Sequence, residues 1–255
     1  MIDKTAIIHK KAYLAFGVSV GPYTVIGENV KIGPNTQIAN SCTISGNTTI
    51  GANCKIFSCA SIGSIPQDLK YNGEDTKLVI GDNNIFREFV TVNLGTIDKG
   101  TTSIGNSNLF MAYSHVAHDC VIGSHCIIAN VGTLAGHVEI EDRAVIGGLV
   151  AIHQFTRVGT MSIIGGCSKV VQDVPPYSVC DGHPTKVFNV NLVGLRRAGI
   201  KNEIIADLKK AFKILFFEGL NLSHAIEQVQ SELPFHTEIK NLIEFVRNSK
   251  RGICK

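Results

Sequence analysis

Charge is scarce in this sequence. Asp, Glu, Lys and Arg make up 18% of the 255 residues, below the roughly 25% usual in soluble proteins. The 24 basic and 21 acidic residues leave a net charge of +3, which excludes a disordered chain and a strongly basic nucleic-acid binder. Long apolar runs are missing as well. Stretches such as 144–152 are interrupted by glycine and too short to span a bilayer. Met1-Ile2-Asp3-Lys4 carries charge where a signal peptide needs an apolar segment. A soluble, cytoplasmic protein without a transmembrane segment is expected. None of the 8 cysteines forms a C-x-x-C pair, so free thiols are expected rather than a disulfide framework. Cys120 and Cys126 are read as small apolar residues in a repeat rather than metal ligands.

What is present is a period of six. Stepping by six from Ile2 to Val170 gives 29 slots, and 26 of them hold an aliphatic residue or Phe. The exceptions are Asp68, Glu74 and Asp98. Glycine follows the slot at eleven places, among them Gly21, Gly27, Gly33, Gly51 and Gly63. Neither a helix nor an ordinary strand repeats at six. A short strand plus a turn does, with β-branched residues suited to the strand and glycine suited to close backbone approach or positive φ. Three units make an 18-residue coil, and stacked coils form parallel ladders about 4.8 Å apart. The expected fold is mainly β, a parallel β-helix of hexapeptide repeats over 1–186. Insertions near 64–78 and 94–102 leave its corners.

Beyond Pro175-Pro176-Tyr177 the period changes. Residues 191–199, 201–218, 222–233 and 237–249 show helical spacing, with Ile204, Ile205, Leu208, Phe212 and Leu215 as one apolar stripe. A C-terminal α-helical domain over 187–255 is therefore expected to cap the solenoid. It holds 11 basic and 7 acidic residues, against 13 and 14 before it. That basic surface suits an acidic protein partner.

Chemistry is expected where histidines cluster. His115, His118, His137 and His153 lie beside slots 116, 134 and 152, which are 18 apart and so share one corner on three successive coils. An imidazole can serve as general base near neutral pH or hold zinc. Asp119 can orient His118, and Gly136 offers a bare N–H to an oxyanion.

Six ordered segments make a specific pattern: Pro66-Gln67-Asp68-Leu69-Lys70, His115-Val116-Ala117-His118-Asp119-Cys120, Leu134-Ala135-Gly136-His137-Val138, Val150-Ala151-Ile152-His153-Gln154-Phe155, Gly165-Gly166-Cys167-Ser168 and Gln172-Asp173-Val174-Pro175-Pro176-Tyr177. The chain resembles the acyl-[acyl-carrier-protein]–UDP-N-acetylglucosamine O-acyltransferase family from Met1 past Gly199. The resemblance implies a left-handed β-helix and the first step of lipid A synthesis. A (3-hydroxy)acyl chain on the phosphopantetheine of acyl carrier protein would pass to the 3-position of UDP-N-acetylglucosamine, with no further cofactor and no metal.

It further implies His118 as general base, Asp119 as its partner and Gly136 as oxyanion donor. Gln67, Asp68 and Lys70 would reach the sugar and phosphates, and His115, His137, His153 and Gln154 would line their pocket. Asn191 and Arg197 would touch the nucleotide, and Gly166 would leave room for the acyl chain. It implies a homotrimer with active sites between subunits and the acidic carrier on the basic helical domain. Asn93-Leu94-Gly95-Thr96 departs from a common His-Arg-Gly-Thr, Val193 from Glu, Ala198 from a second Arg, and Gly182-His183-Pro184 from Gly-Asn. A 3-amino sugar acceptor, giving an amide, stays open. A zinc hydratase of γ-carbonic-anhydrase type is the rival of another class. It calls for H-x4-H, where this chain has His115-x-x-His118.

Overall fold

The structure, a computed structural model covering residues 1–255, is a three-sided stack of parallel ladders closed by helices. Most strands are two residues long, and the slot residue is the inward one. Ile26 pairs with Ile44, Ile128 with Ile146 and Ile140 with Val158. All six are no more than 2% exposed. The three sheets contain nine, eight and ten strands. The period of six thus becomes three walls, each visited once per coil.

Sequence reasoning allowed two roles for the glycine after each slot, and close approach is the main one. Except at Gly63 (φ +79°), those glycines have ordinary φ, and it is the nearness of the next coil that requires them. A Cβ on Gly33 would stand 2.6 Å from the Gly51 carbonyl carbon. Positive φ falls instead on the residue three past the slot, as in Asn35, Asn53, Asp119, His137 and Phe155.

The insertions depart where the slots turn acidic. Strands Asn47–Ile50, Lys77–Ile80 and Thr101–Ile104 are lengthened around them. Lys77 pairs with both Asn47 and Thr101, so the ladder stays continuous past both loops. Inside, Phe86 and Phe110 stack with centroids 4.8 Å apart. Outside, one wall differs from the other two. Ile85, Leu109, Ile127, Val145, Ile163 and Val179 follow one another as its outward, half-buried residues.

The last wall is extended by a hairpin of Ser178–Gly182 and Thr185–Val190. The second strand crosses residue 186, so the sheet runs on to Val190 before the first helix. Four helices follow: α1 (Leu192–Arg197), α2 (Asn202–Phe212), α3 (Leu222–Glu232) and α4 (Thr237–Arg247). A π-helical turn, Lys213–Phe217, prolongs α2. Ile205, Leu208, Phe212 and Leu215 are buried as the stripe foretold, and Ile204 is half-buried. The C-terminal segment returns to the solenoid. Cys254 N–H donates to the Asp173 carbonyl (3.0 Å), while the Asp173 carboxylate accepts from Arg157 N–H (2.8 Å) and Ser249 Oγ (2.7 Å).

Candidate active site

Two turn columns build the site. His118, Gly136 and Gln154 lie two past their slots on successive coils, and Asp119, His137 and Phe155 lie three past. This register explains Gly136. A Cβ there would sit 2.5 Å from His118 Cε1 and 2.6 Å from Nε2, so glycine is what allows the imidazole to lie over the next coil. Its N–H donates to no group in the chain.

His118 Nδ1 lies 2.8 Å from Asp119 Oδ2. Asp119 is fully buried and collects further donors: Thr96 N–H on Oδ1 (2.9 Å) and Thr96 Oγ1–H on Oδ2 (2.6 Å). His137 Nε2 stands 3.5 Å from the same Oδ2, and its ring meets His118 edge-on at 5.2 Å and stacks on Phe155 at 4.6 Å. Burial alone would raise the Asp119 carboxyl, but the bonds from Thr96 and His118 outweigh it and hold the pKa below its ordinary value. Asp119 is therefore ionised and makes Nδ1 of His118 the donor, leaving Nε2 with a lone pair. Burial lowers the pKa of His137, and burial with the nearby His118 lowers that of His115.

The other expected site residues are placed less uniformly. His115 faces the same wall but bonds Thr91 Oγ1 through Nδ1 (2.7 Å). His153 is exposed, its Nδ1 3.1 Å from the Gln154 carbonyl oxygen. Gln67, Asp68 and Lys70 ride the first insertion, where Lys70 N–H donates to Asp68 Oδ1 (2.9 Å). None of the three bonds the histidine strip, and Leu69 between them is 103% exposed. Asn191 is already engaged: it caps α1 through Gly194 N–H (2.9 Å) and donates to the Met161 carbonyl (2.8 Å). Arg197 is exposed at the end of α1. Gly166 is exposed beside the apolar wall, where a Cβ would come 3.2 Å from Gly148 O. Asn93, at a departure from the common pattern, is buried and donates to Ser64 Oγ and the Ile65 carbonyl, leaving Oδ1 without a partner.

Sequence reasoning gave no role to Thr96, Lys99, Thr102 or Phe155. Arithmetic by 18 puts slot 98 one coil before Val116, but the structure pairs Val92 with Val116 and leaves residue 98 in the loop, so the second insertion reaches the site from outside the repeat. Beside His137 a groove of 540 Å³ opens between Lys99 of the second insertion, Phe155 and Arg157 on the coils, and Asn248, Lys250 and Arg251 of the C-terminal segment. The donor atoms of His118, Asp119 and His137 lie within 4.8 Å of one another, close enough for a metal ion. Both Asp119 oxygens, however, already accept hydrogen bonds, and His115, half of the pair weighed for zinc, is outside that set. Burial pushes the Cys120 thiol up to about 12 and Cys126 to about 11, which removes them as nucleophiles.

Comparison with known proteins gives this geometry a family. Residues 173–254 match the family described as "Udp N-acetylglucosamine O-acyltransferase; Domain 2", and 23–64 and 101–132 match "Bacterial transferase hexapeptide (six repeats)". The chain is 51% identical over 253 residues to the acyl-[acyl-carrier-protein]–UDP-N-acetylglucosamine O-acyltransferase of Aliarcobacter butzleri, covering 99% of this chain and 97% of that one. The chain belongs to the acyl-[acyl-carrier-protein]–UDP-N-acetylglucosamine O-acyltransferase family. A relative of the same name from Thermodesulfovibrio yellowstonii is 53% identical over 255 residues, covering 100% of this chain and 99% of that one. The solved UDP-N-acetylglucosamine acyltransferase of Bacteroides fragilis is 43% identical and superposes over 100% of both chains with a TM-score of 0.98. As in this acyltransferase family, the coil is a left-handed parallel β-helix.

Proposed function

We propose that this chain transfers a (3-hydroxy)acyl group from acyl carrier protein to the 3-hydroxyl of UDP-N-acetylglucosamine, the first step of lipid A biosynthesis, with His118 as general base. The carrying observation is the His118–Asp119 pair, closed on one side by Thr96 and faced by the free N–H of Gly136. Nε2 of His118 takes the proton as the sugar oxygen attacks the thioester carbon. The oxyanion of the tetrahedral intermediate accepts from Gly136 N–H. Collapse breaks the C–S bond, and the phosphopantetheine thiolate leaves with the proton held by His118. General-base assistance of this kind contributes roughly 10²–10⁴-fold.

Gln67, Asp68 and Lys70 belong to this site in a homotrimer, where the first insertion of one subunit reaches the histidine strip of its neighbour. Two features support that: Leu69 is wholly exposed, and Phe89, Tyr113, Val131 and Leu149 make an apolar stripe along one corner, 40–60% exposed. His115, His137, His153 and Gln154 line the sugar and pyrophosphate pocket, and Arg197, with Asn191 behind it, approaches the nucleotide. The acyl chain lies on the apolar wall from Ile85 to Val179 and passes Gly166. The acidic carrier docks on the exposed lysines Lys209, Lys210 and Lys213. The reaction takes place in the cytoplasm; no helix of the chain is long and apolar enough to cross a membrane.

The test is product formation from UDP-N-acetylglucosamine and a panel of acyl-carrier-protein thioesters, weighed by mass spectrometry, with His118→Ala in parallel. An acylated nucleotide sugar that falls at least about a hundredfold in the variant is expected. Equal product from both would remove His118 as the base. Product only from a UDP-3-amino sugar would replace the ester by an amide, the outcome to which Asn93 and its unpartnered Oδ1 are relevant.

A further inference from the structure

We propose that Thr96 is a positioning residue for acyl transfer, its hydroxyl and backbone N–H clamping the Asp119 carboxylate so that Oδ2 stays on Nδ1 of His118. This rests on the assignment of His118 as base.

The second insertion is built to turn back on the catalytic corner. The chain leaves the ladder after Asn93 and rejoins it at Thr101. In between, Thr96 bonds Asp119 twice, Asp98 Oδ2 stands 3.9 Å from His137 Nε2, and Lys99 Nζ lies 2.9 Å from Glu139. Thr96 alone reaches the carboxylate that touches the base. Thr96 is 6% exposed and Asp119 is fully buried, so water has little access to replace a lost donor. The tie also has a rival to exclude. Asp119 Oδ2 is 2.8 Å from His118 but only 3.5 Å from His137 Nε2. A carboxylate pivoting about its Cβ–Cγ bond could serve either ring. The Thr96 N–H holds Oδ1 and the hydroxyl holds Oδ2 on the His118 side. From the other strand side, Thr102 Oγ1 accepts the Asp119 backbone N–H at 2.8 Å, fixing the main chain on which the carboxylate turns.

Thr96→Val removes the hydroxyl and keeps the branched shape and the backbone N–H. Thr96→Ser keeps the hydroxyl and drops the methyl. With a carrier thioester and UDP-N-acetylglucosamine, Thr96→Val should lower kcat by about ten- to a hundredfold, the range of one hydrogen bond to a charged group. KM for both substrates should stay within about threefold, because Thr96 is a step removed from them. Thr96→Ser should recover most of the wild-type kcat. On an Asp119→Asn background Thr96→Val should cost little more, since residues acting as one unit are not additive. Wild-type kcat in Thr96→Val would overturn the inference. So would a Thr96→Ser variant as slow as Thr96→Val, or equal losses with and without Asp119. If Thr96→Val does not fold, Thr96→Ala supplies the missing-hydroxyl arm, with thermal melts on each variant. His118→Ala beside them keeps the two readings apart: its full activity removes the base, while its inactivity with a normal Thr96→Val removes only the clamp.

Discussion

At the scale of single residues, Gly136 carries the sharpest constraint. Its hydrogen occupies the space where a methyl group would overlap His118 Cε1 and Nε2. Gly136→Ala should therefore push the imidazole off Asp119 while leaving the coil folded. The expected result is loss of acyl transfer by at least about tenfold with an unchanged circular-dichroism spectrum. Titration gives a second expectation. His115 and His137 have folded pKa values below that of an exposed imidazole, so between the two values the unfolded chain binds more protons than the folded one. Their contribution to stability is then complete above about pH 6.5 and is lost as pH falls through that region. The melting temperature should drop from pH 7.5 to 5.5, and His137→Gln should flatten the slope. A third expectation follows from the proposed path of the acyl chain past Gly166. Gly166→Leu should shift the product toward shorter acyl chains, read directly from product mass.

At the scale of elements, the repeat was legible and the turns were less so. Every slot residue from Val20 to Ile62 is buried, because an aliphatic side chain every sixth position has only one place to go. The location of positive φ was not legible. Tyr, Asn, Ser, Phe, Asp, His, Val and Leu all occupy it, so composition gave no signal there. The helices were readable from Ile205, Leu208 and Phe212, yet the π turn after Phe212 leaves no mark in the spacing. In the site, His118 and Asp119 could be found by column arithmetic, whereas Thr96 could not: it lies in an insertion, outside the repeat that makes positions predictable. Removing one interior rung tests the element. Ile128→Ala, at a fully buried position, should cost about 2–5 kcal/mol in thermal or denaturant unfolding at fixed protein concentration.

At the scale of the whole molecule, the proposed shared cleft and the proposed carrier surface can be tested separately. Leu149→Lys places charge in the apolar corner stripe and should shift the sedimentation coefficient toward monomer, with activity lost alongside. Lys209→Glu with Lys213→Glu should instead leave the assembly intact and raise KM for the carrier thioester, more strongly at low salt than at high. The two ends of the solenoid also differ in a way that bears on how it comes apart. Ile8 and Leu14 are half-buried and Phe16 is 92% exposed, whereas the last coil is covered by the hairpin, α1–α4 and the returning segment at Asp173. In a stack whose units touch only their neighbours, opening starts where a unit has one neighbour fewer. Amide protons should therefore exchange in a wave that starts at the first coils and dies out before Thr102, leaving the histidine corner among the slowest-exchanging parts of the chain.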